Sequence, residues 1–228
     1  MAMEITMYDT LLQLPLFQGL CKDDFTSIIE KVKFHFHQFE AGEDILVQGE
    51  RCDQLAFLLD GEISSHITNP ALGYHLSEIH KGPFIIEPYS LFGMKPTYTA
   101  TYKAHTEARL LTIDKAFILS DLNNYEIFRI NYLNILSNRC QYMAERLNNH
   151  RIGTLKEKLG DFFRLRCLKP EGEKTLHITM EDLANLVSET RINVSRLLNE
   201  LQKKEVVQLK RKEIFIPALE KLLEELGC

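Results

Sequence analysis

Hydrophobic and polar positions fall into three regimes along the chain. Between residues 33 and 114 apolar positions recur at every second residue, in short runs broken by glycine. Runs of period two are the mark of strands with one buried face. Lys33 to Phe39 alternates, which predicts Phe34, Phe36 and Phe39 facing inward and His35 and His37 outward. Further strands are expected at 44–48, 54–59, 63–68, 74–79 and 100–113. Gly42, Gly49 and the pair Asp60-Gly61, a strong hairpin signal, separate them. Many short strands at this spacing predict a double-sheet or closed β architecture such as a jelly roll. Ahead of them, Leu11, Leu12 and Leu14 suit a short helix covering a sheet.

The period then changes. Residues 121–151 contain neither proline nor glycine, and Leu133, Leu136, Cys140, Met143, Leu147 and His150 recur at alternating steps of three and four. That is the seam of a coiled coil, so a long helix meeting its copy in a homodimer is expected. Arg151-Ile152-Gly153 breaks the pattern as a candidate hinge. Thr154 caps a new helix running through Leu165, and Lys169-Pro170-Glu171-Gly172 ends it with turn chemistry.

The third regime is two short amphipathic helices. Leu183, Ala184 and Val187 make one inward face, Ser188-Glu189-Thr190 interrupts, and Val194, Leu197, Leu198 and Leu201 make the next. Thr179 followed by Glu181-Asp182 signals a helix start. The outward face of the second helix carries Arg191, Asn193, Ser195, Arg196 and Asn199, side chains suited to phosphates and base edges. Residues 205–216 then read as a hairpin with Lys210, Arg211 and Lys212 at its tip, placed to reach flanking phosphates. Together these predict a winged helix-turn-helix.

Composition changes the picture in two places. The net charge of −5 argues against nucleic acid as a partner, but from residue 154 onward 14 Lys and Arg face 13 Asp and Glu, so the acidic excess lies elsewhere. Five cysteines, none at CxxC spacing, argue against a disulfide framework or zinc site and favour a reducing cytoplasm. There is no apolar run near the roughly 18 residues of a membrane span, and the first residues do not read as a signal peptide.

The order of these parts resembles the cyclic-AMP receptor protein and fumarate–nitrate regulator family of bacterial transcription factors. Leu14 to Glu50 resembles the opening of a cyclic-nucleotide-binding fold, with Gly42, Gly49 and Gly61 at its turn glycines. The segment RINVSR, Arg191–Arg196, resembles the family's recognition helix. The resemblance implies base contacts from Arg191 and Arg196 and phosphate contacts from Thr179, Thr190 and Asn193. Ile192 stands where the family commonly has a glutamate, and isoleucine cannot accept from a cytosine amino group. The sequence read should differ accordingly.

The sensor departs further. Where the family's phosphate cassette runs F-G-E-x-x-L and then R-[ST]-A, this chain has Phe84-Ile85-Ile86-Glu87-Pro88-Tyr89-Ser90-Leu91 and then Tyr98-Thr99-Ala100. Glu87 keeps the place of the ribose-hydroxyl acceptor and Thr99 the small hydroxyl. Ile86 replaces a glycine, and Tyr98 replaces the arginine that neutralises the phosphate. Gly82 and Lys103 complete the candidate effector pocket, Lys103 as a substitute cation. Tight cyclic-AMP binding is not expected, and no cofactor or metal is predicted.

The expected fold is α+β, with a sensor β-roll at 1–120, a dimer helix at 121–151 and the DNA-binding domain at 152–228. The expected function is a dimeric transcription regulator on a near-palindromic operator, with RNA polymerase as a further partner. Two alternatives stay open, a nucleotide-binding module acting on a protein partner and a haem-based sensor using histidines such as His35 and His37. No nucleophile, paired-carboxylate or P-loop motif points to an enzyme.

Overall fold

The computed structural model describes residues 11–148 and 153–227, without the side chains of 145–148. Two compact units emerge. One joins the chain up to Ser64 with His80–Cys140, and the other joins Ser65–Ile79 with the chain from Gln141 onward.

The first unit is a β-roll with helices. After helix α1 (Lys22–Lys31) come β1 (Phe34–Phe39), β2 (Asp44–Leu46), β3 (Gln54–Asp60) and the start of β4 (Glu62–Asn69). The chain returns to this unit for β6 (Phe84–Ile86), β7 (Thr101–Ala104), β8 (Ala108–Asp114) and α2 (Lys115–Ser120). One sheet runs β1-β8-β3-β6, and β2 pairs with β7 beside β4. Gly61 makes the β3–β4 turn at φ +88°, and a Cβ there would meet the Glu107 carbonyl oxygen at 2.2 Å, so only glycine fits. Phe17, Phe25, Phe57 and Phe128 pack ring to ring as the core.

Three local expectations are corrected. The expected strand at 100–113 is two strands, β7 and β8, parted at His105–Glu107. Phe36 does not face inward but is 51% exposed, because β1 is the sheet's edge and its inner face is covered only near Phe34, which meets Phe17. His35 and His37 are not simply solvated either: His35 lies 3.5 Å from Asp114, and His37 meets the Thr112 hydroxyl at 3.1 Å.

The long helix α3 spans Glu126–Asn148, after a single 3-10 turn at Leu122–Asn124 rather than from residue 121. Phe128 and Tyr132 are buried, while Ile127, Ile130, Leu133 and Met143 are exposed. Leu136 is half-buried and Cys140 exposed. The Leu147 side chain, His150 and the Arg151-Ile152 part of the expected hinge lie outside the described residues, as does the chain before Leu11.

The second unit holds α4 (Leu155–Arg166), β9 (Lys174–His177), α5 (Met180–Leu186), α6 (Arg191–Lys203), β10 (Gln208–Lys210), β11 (Glu213–Ile216) and α7 (Leu219–Leu226). Thr154 caps α4 through a capping box with Glu157. Its sheet runs β10-β11-β9-β5-β4, where β5 is Tyr74–Lys81. The β4–β5 hairpin, expected to belong wholly to the sensor, is therefore built into this unit from Ser65 to Ile79. Tyr74 and Leu76 join the same core as Leu159, Phe162, Leu183, Val194, Leu198 and Leu222.

Candidate nucleic-acid interface and sensor loop

The helix-turn-helix is held by caps and one ion pair. Thr179 caps α5 by accepting from the Asp182 N–H at 3.0 Å, and Thr190 caps α6 by accepting from the Asn193 N–H at 3.3 Å. Between them Ser188 sits at φ +51° without being glycine. The turn is fastened from behind by Lys158 of α4, which donates to Glu189 at 2.9 Å and to the Ser188 carbonyl at 3.4 Å. That bond holds the Glu189 carboxyl below its usual range. Val194, Leu197, Leu198 and Leu201 are buried, so the inward face of α6 is the expected one.

The opposite face is open. Arg191, Asn193, Arg196 and Asn199 are exposed, Ser195 is half-buried and Ile192 is 71% exposed. The Asn199 amide folds back to the Ser195 carbonyl at 2.7 Å. Among the described residues neither Arg191 nor Arg196 has an acidic partner within ion-pair distance, so both guanidinium groups are uncommitted donors. In the wing, Arg211 and Lys212 are exposed at the tip, whereas Lys210 pairs with Glu213 at 2.8 Å. Ile178 donates to the Lys212 carbonyl at 3.0 Å, which ties the wing to the residue before Thr179.

The sensor loop has a different character. Glu87, at φ 38°, is 2% exposed and accepts from five protein donors. These are the Ser90 hydroxyl at 2.6 Å, the Thr99 N–H and hydroxyl both at 2.8 Å, the Ala100 N–H at 3.0 Å and the Tyr102 hydroxyl at 3.1 Å. A carboxylate offers about four lone-pair directions, so none is left over for a ribose hydroxyl. Tyr98 is 4% exposed, and its hydroxyl is buried without a hydrogen-bond partner beside Cys52. Burial pushes its phenol pKa up, and the Cys52 neighbour adds to this. Burial likewise pushes the Cys52 thiol up, so this thiol is not a reactive one. Ile86 is buried, and a Cβ on Gly82 would press on the Leu59–Asp60 backbone at 3.0 Å. Lys103 is not a buried cation facing Glu87. It pairs with Asp44 across β2 and β7 at 2.8 Å and is 43% exposed.

Residues that sequence reasoning passed over complete this loop. Ser90 and Tyr102 supply two of the five donors to Glu87. The Tyr132 hydroxyl of α3 donates to the Pro88 carbonyl at 2.6 Å, and the Arg139 guanidinium lies over the Tyr89 ring at 5.1 Å. The sensor loop is thus tied to the long helix at two points. The only signal for Tyr132 was its place one residue before the seam position Leu133. Among the described residues no cluster of His, Cys, Asp or Glu could hold a metal ion, and no helix is long and apolar enough to cross a membrane.

Residues 36–125 match the cyclic nucleotide-binding domain, and residues 157–225 match the Crp-like helix-turn-helix domain. No curated protein sequence matches the chain. Among solved structures the chain is similar to the Thermus thermophilus Catabolite Activator Protein, at 21% identity and a TM-score of 0.52, covering 93% of this chain and 98% of that one. It is also similar to the N-terminal domain of a transcriptional regulator from Streptomyces coelicolor A3(2), at 22% identity and a TM-score of 0.50, covering 64% of this chain and 100% of that one. At these identities the likeness is one of fold. The two matched domains, in this order and joined by a long helix, carry the assignment: the chain belongs to the Crp/Fnr family of DNA-binding transcription regulators, which are not enzymes.

Proposed function

We propose that this protein is a homodimeric, sequence-specific regulator whose sensor does not take cyclic AMP. The observation that carries the DNA reading is the open face of α6, where Arg191 and Arg196 stand exposed and unpaired above a fully buried apolar face. Both arginines can pair bidentately with guanine edges, Asn193 and Asn199 add amide donors and acceptors, and Ile192 offers an apolar contact to a thymine methyl. The wing residues Arg211 and Lys212, with Lys210 after exchange of its Glu213 partner, reach phosphates. A docking helix for a protein partner would present several apolar anchors, and Ile192 alone fits that description.

The dimer reading rests on α3. Leu133, Cys140 and Met143, three of the seam positions, are exposed on a helix that already buries Phe128 and Tyr132. A two-fold axis along this helix presents two recognition helices, which read successive major grooves when roughly 34–36 Å apart. The bonds from Tyr132 and Arg139 to the sensor loop support control through this helix. The sensor reading rests on Glu87, filled by protein donors, and on Tyr98 in place of a cation.

Selection from random duplexes tests the function. The expected result is an enriched, two-fold symmetric site with half-sites one helical turn apart, bound by a sedimenting dimer. No enrichment, or an enriched site without symmetry, overturns the reading. Titration calorimetry with cyclic AMP should show no submicromolar binding.

A further inference from the structure

Resting on the regulator reading above, we propose that the sensor loop is held closed by the protein's own side chains and braces α3, so that operator binding needs no small-molecule effector.

The loop runs from β6 through Glu87 and a 3-10 turn at Pro88–Ser90 to Phe92. Both oxygens of Glu87 are engaged. One accepts from the Ser90 hydroxyl and the Thr99 N–H, the other from the Thr99 hydroxyl, the Ala100 N–H and the Tyr102 hydroxyl, all at 2.6–3.1 Å. Three carbonyls of the loop are engaged as well. That of Glu87 accepts from the Ser90 N–H at 2.9 Å, that of Pro88 from the Tyr132 hydroxyl at 2.6 Å, and that of Leu91 from the Lys115 ammonium at 2.7 Å. Pro88, Ser90 and Leu91 are buried together with Glu87.

These bonds converge from separate parts of the first unit. Thr99 and Ala100 lead into β7, which holds Tyr102. Lys115 opens α2, and Tyr132 belongs to α3. The Tyr132 ring also meets Phe92 edge-on at 6.1 Å and stacks on Phe128 at 6.3 Å. About two turns further along α3, the Arg139 guanidinium lies over the Tyr89 ring at 5.1 Å. The loop therefore grips α3 at two heights, which fixes both its distance from the β-roll and its rotation about its own axis.

Such a loop leaves an effector little to change. A ligand shifts an equilibrium only by the difference in its affinity for the two states. A ligand hydroxyl at Glu87 would trade bonds already made for bonds of the same kind. A phosphate beside Tyr98 would meet a buried phenol where it needs a cation. Opening, by contrast, strips the buried carboxylate of its donors. Each hydrogen bond lost to a charged group disfavours the open loop by roughly ten- to a hundredfold. The closed loop is thus the ground state, and the position of α3, the proposed dimer helix, is set by the chain itself.

Affinity for the operator tests this. The full-length protein is unfolded in guanidinium chloride, dialysed free of small molecules, refolded, and checked by circular dichroism and sedimentation. It should bind the selected operator within about twofold of untreated protein, whereas effector coupling is typically about 5–150-fold. A refolded dimer that has lost about fivefold or more in affinity would overturn the proposal. Should refolding fail, mass spectrometry of the supernatant after denaturation decides: a stoichiometric small molecule counts against the proposal, and none at that level supports it. Failure to select any operator would sink the regulator reading and the proposal with it.

Glu87→Gln, which puts a donor among donors, should open the loop. Hydrogen exchange over 84–92 should speed up about tenfold or more, and the folded variant should lose about fivefold or more in operator affinity. A loop that only propped the β-roll would cost stability and leave that affinity unchanged, and this result refutes the brace. Should the variant not fold, Tyr132→Phe decides, because it keeps the ring against Phe92 and Phe128 and removes one bond. Exchange over 84–92 should then rise about three- to tenfold, and unchanged exchange contradicts the brace.

Discussion

Replacing Lys174 with methionine tests how the hairpin is held. Glu78 and Lys174 are each 1% exposed and meet at 3.0 Å. At an effective dielectric of about 20, Coulomb attraction at that distance is about 5 kcal/mol, largely offset by desolvation of the two charges. The pair is satisfied on both sides: Glu78 also accepts from the N–H groups of Leu168 at 2.5 Å and Lys169 at 3.2 Å, and Lys174 donates to the Glu171 carbonyl at 2.7 Å. Removing only the ammonium leaves a carboxylate in the core with two N–H donors and no cation in contact, the nearby Lys169 being its remaining positive neighbour. The expected cost is about 3–5 kcal/mol, a large part of the roughly 5–15 kcal/mol that a domain has. Adding Glu78→Gln, which keeps an acceptor for the N–H groups without the charge, should recover at least half of it. Urea unfolding of both variants, with hydrogen exchange across β5 and β9, measures this. A loss under about 1 kcal/mol for Lys174→Met, or no recovery in the double variant, would refute the argument that an uncompensated charge is the penalty.

Four further outcomes are expected. Arg196→Ala should cost about 1–3 kcal/mol on the selected operator and little on random DNA, whereas Arg211→Ala with Lys212→Ala should weaken both alike and flatten the salt slope; equal losses on both DNAs for Arg196→Ala would contradict base reading. Ser188→Gly should raise stability by about 1 kcal/mol, since glycine carries no left-handed penalty at φ +51°, and a thermal melt shows the sign. The depressed Glu189 carboxyl contributes stability that is present above about pH 4.5 and lost as pH falls through its lower folded value, so Lys158→Met should flatten the acid limb of the stability curve. In a parallel α3 dimer the two Cys140 thiols face each other, and mild oxidation should cross-link the wild type but not Cys140→Ser; a monomer under those conditions counts against the seam.

The parts legible in the sequence were those with a single local cause. Strand positions followed from alternation, Gly61 from its turn, and α6 from an apolar set at helical spacing. Where two local signals competed, tertiary contacts decided. Lys33 to His37 alternates, yet its period says nothing of whether a neighbour will cover the phenylalanine side, and Phe36 stays 51% exposed. β9 is four residues long, KTLH, too short and too mixed to read as a strand, and it exists because β11 and β5 pair on either side of it. For the same reason the hairpin's allegiance was hidden: Tyr74–Ile79 has the same pattern whether its partner strand precedes or follows it by a hundred residues.

The sensor shows a second limit, one of electrostatics rather than of pairing. Glu87 was visible in the chain as the residue in the place of a ribose acceptor, and its identity fits that role. Five protein donors already occupy its oxygens, and of the residues that supply them only Thr99, the source of two, was singled out in the sequence. Two are backbone N–H groups, which every residue has, and they matter only because the chain at Thr99 and Ala100 turns toward the carboxylate. Ser90, Thr99 and Tyr102 meet the acceptor directions of this buried acid, and the neighbour at position 98 is a neutral, buried phenol. A ligand for this loop would have to displace bonds already made at 2.6–3.1 Å, a cost that a neutral hydroxyl cannot offset.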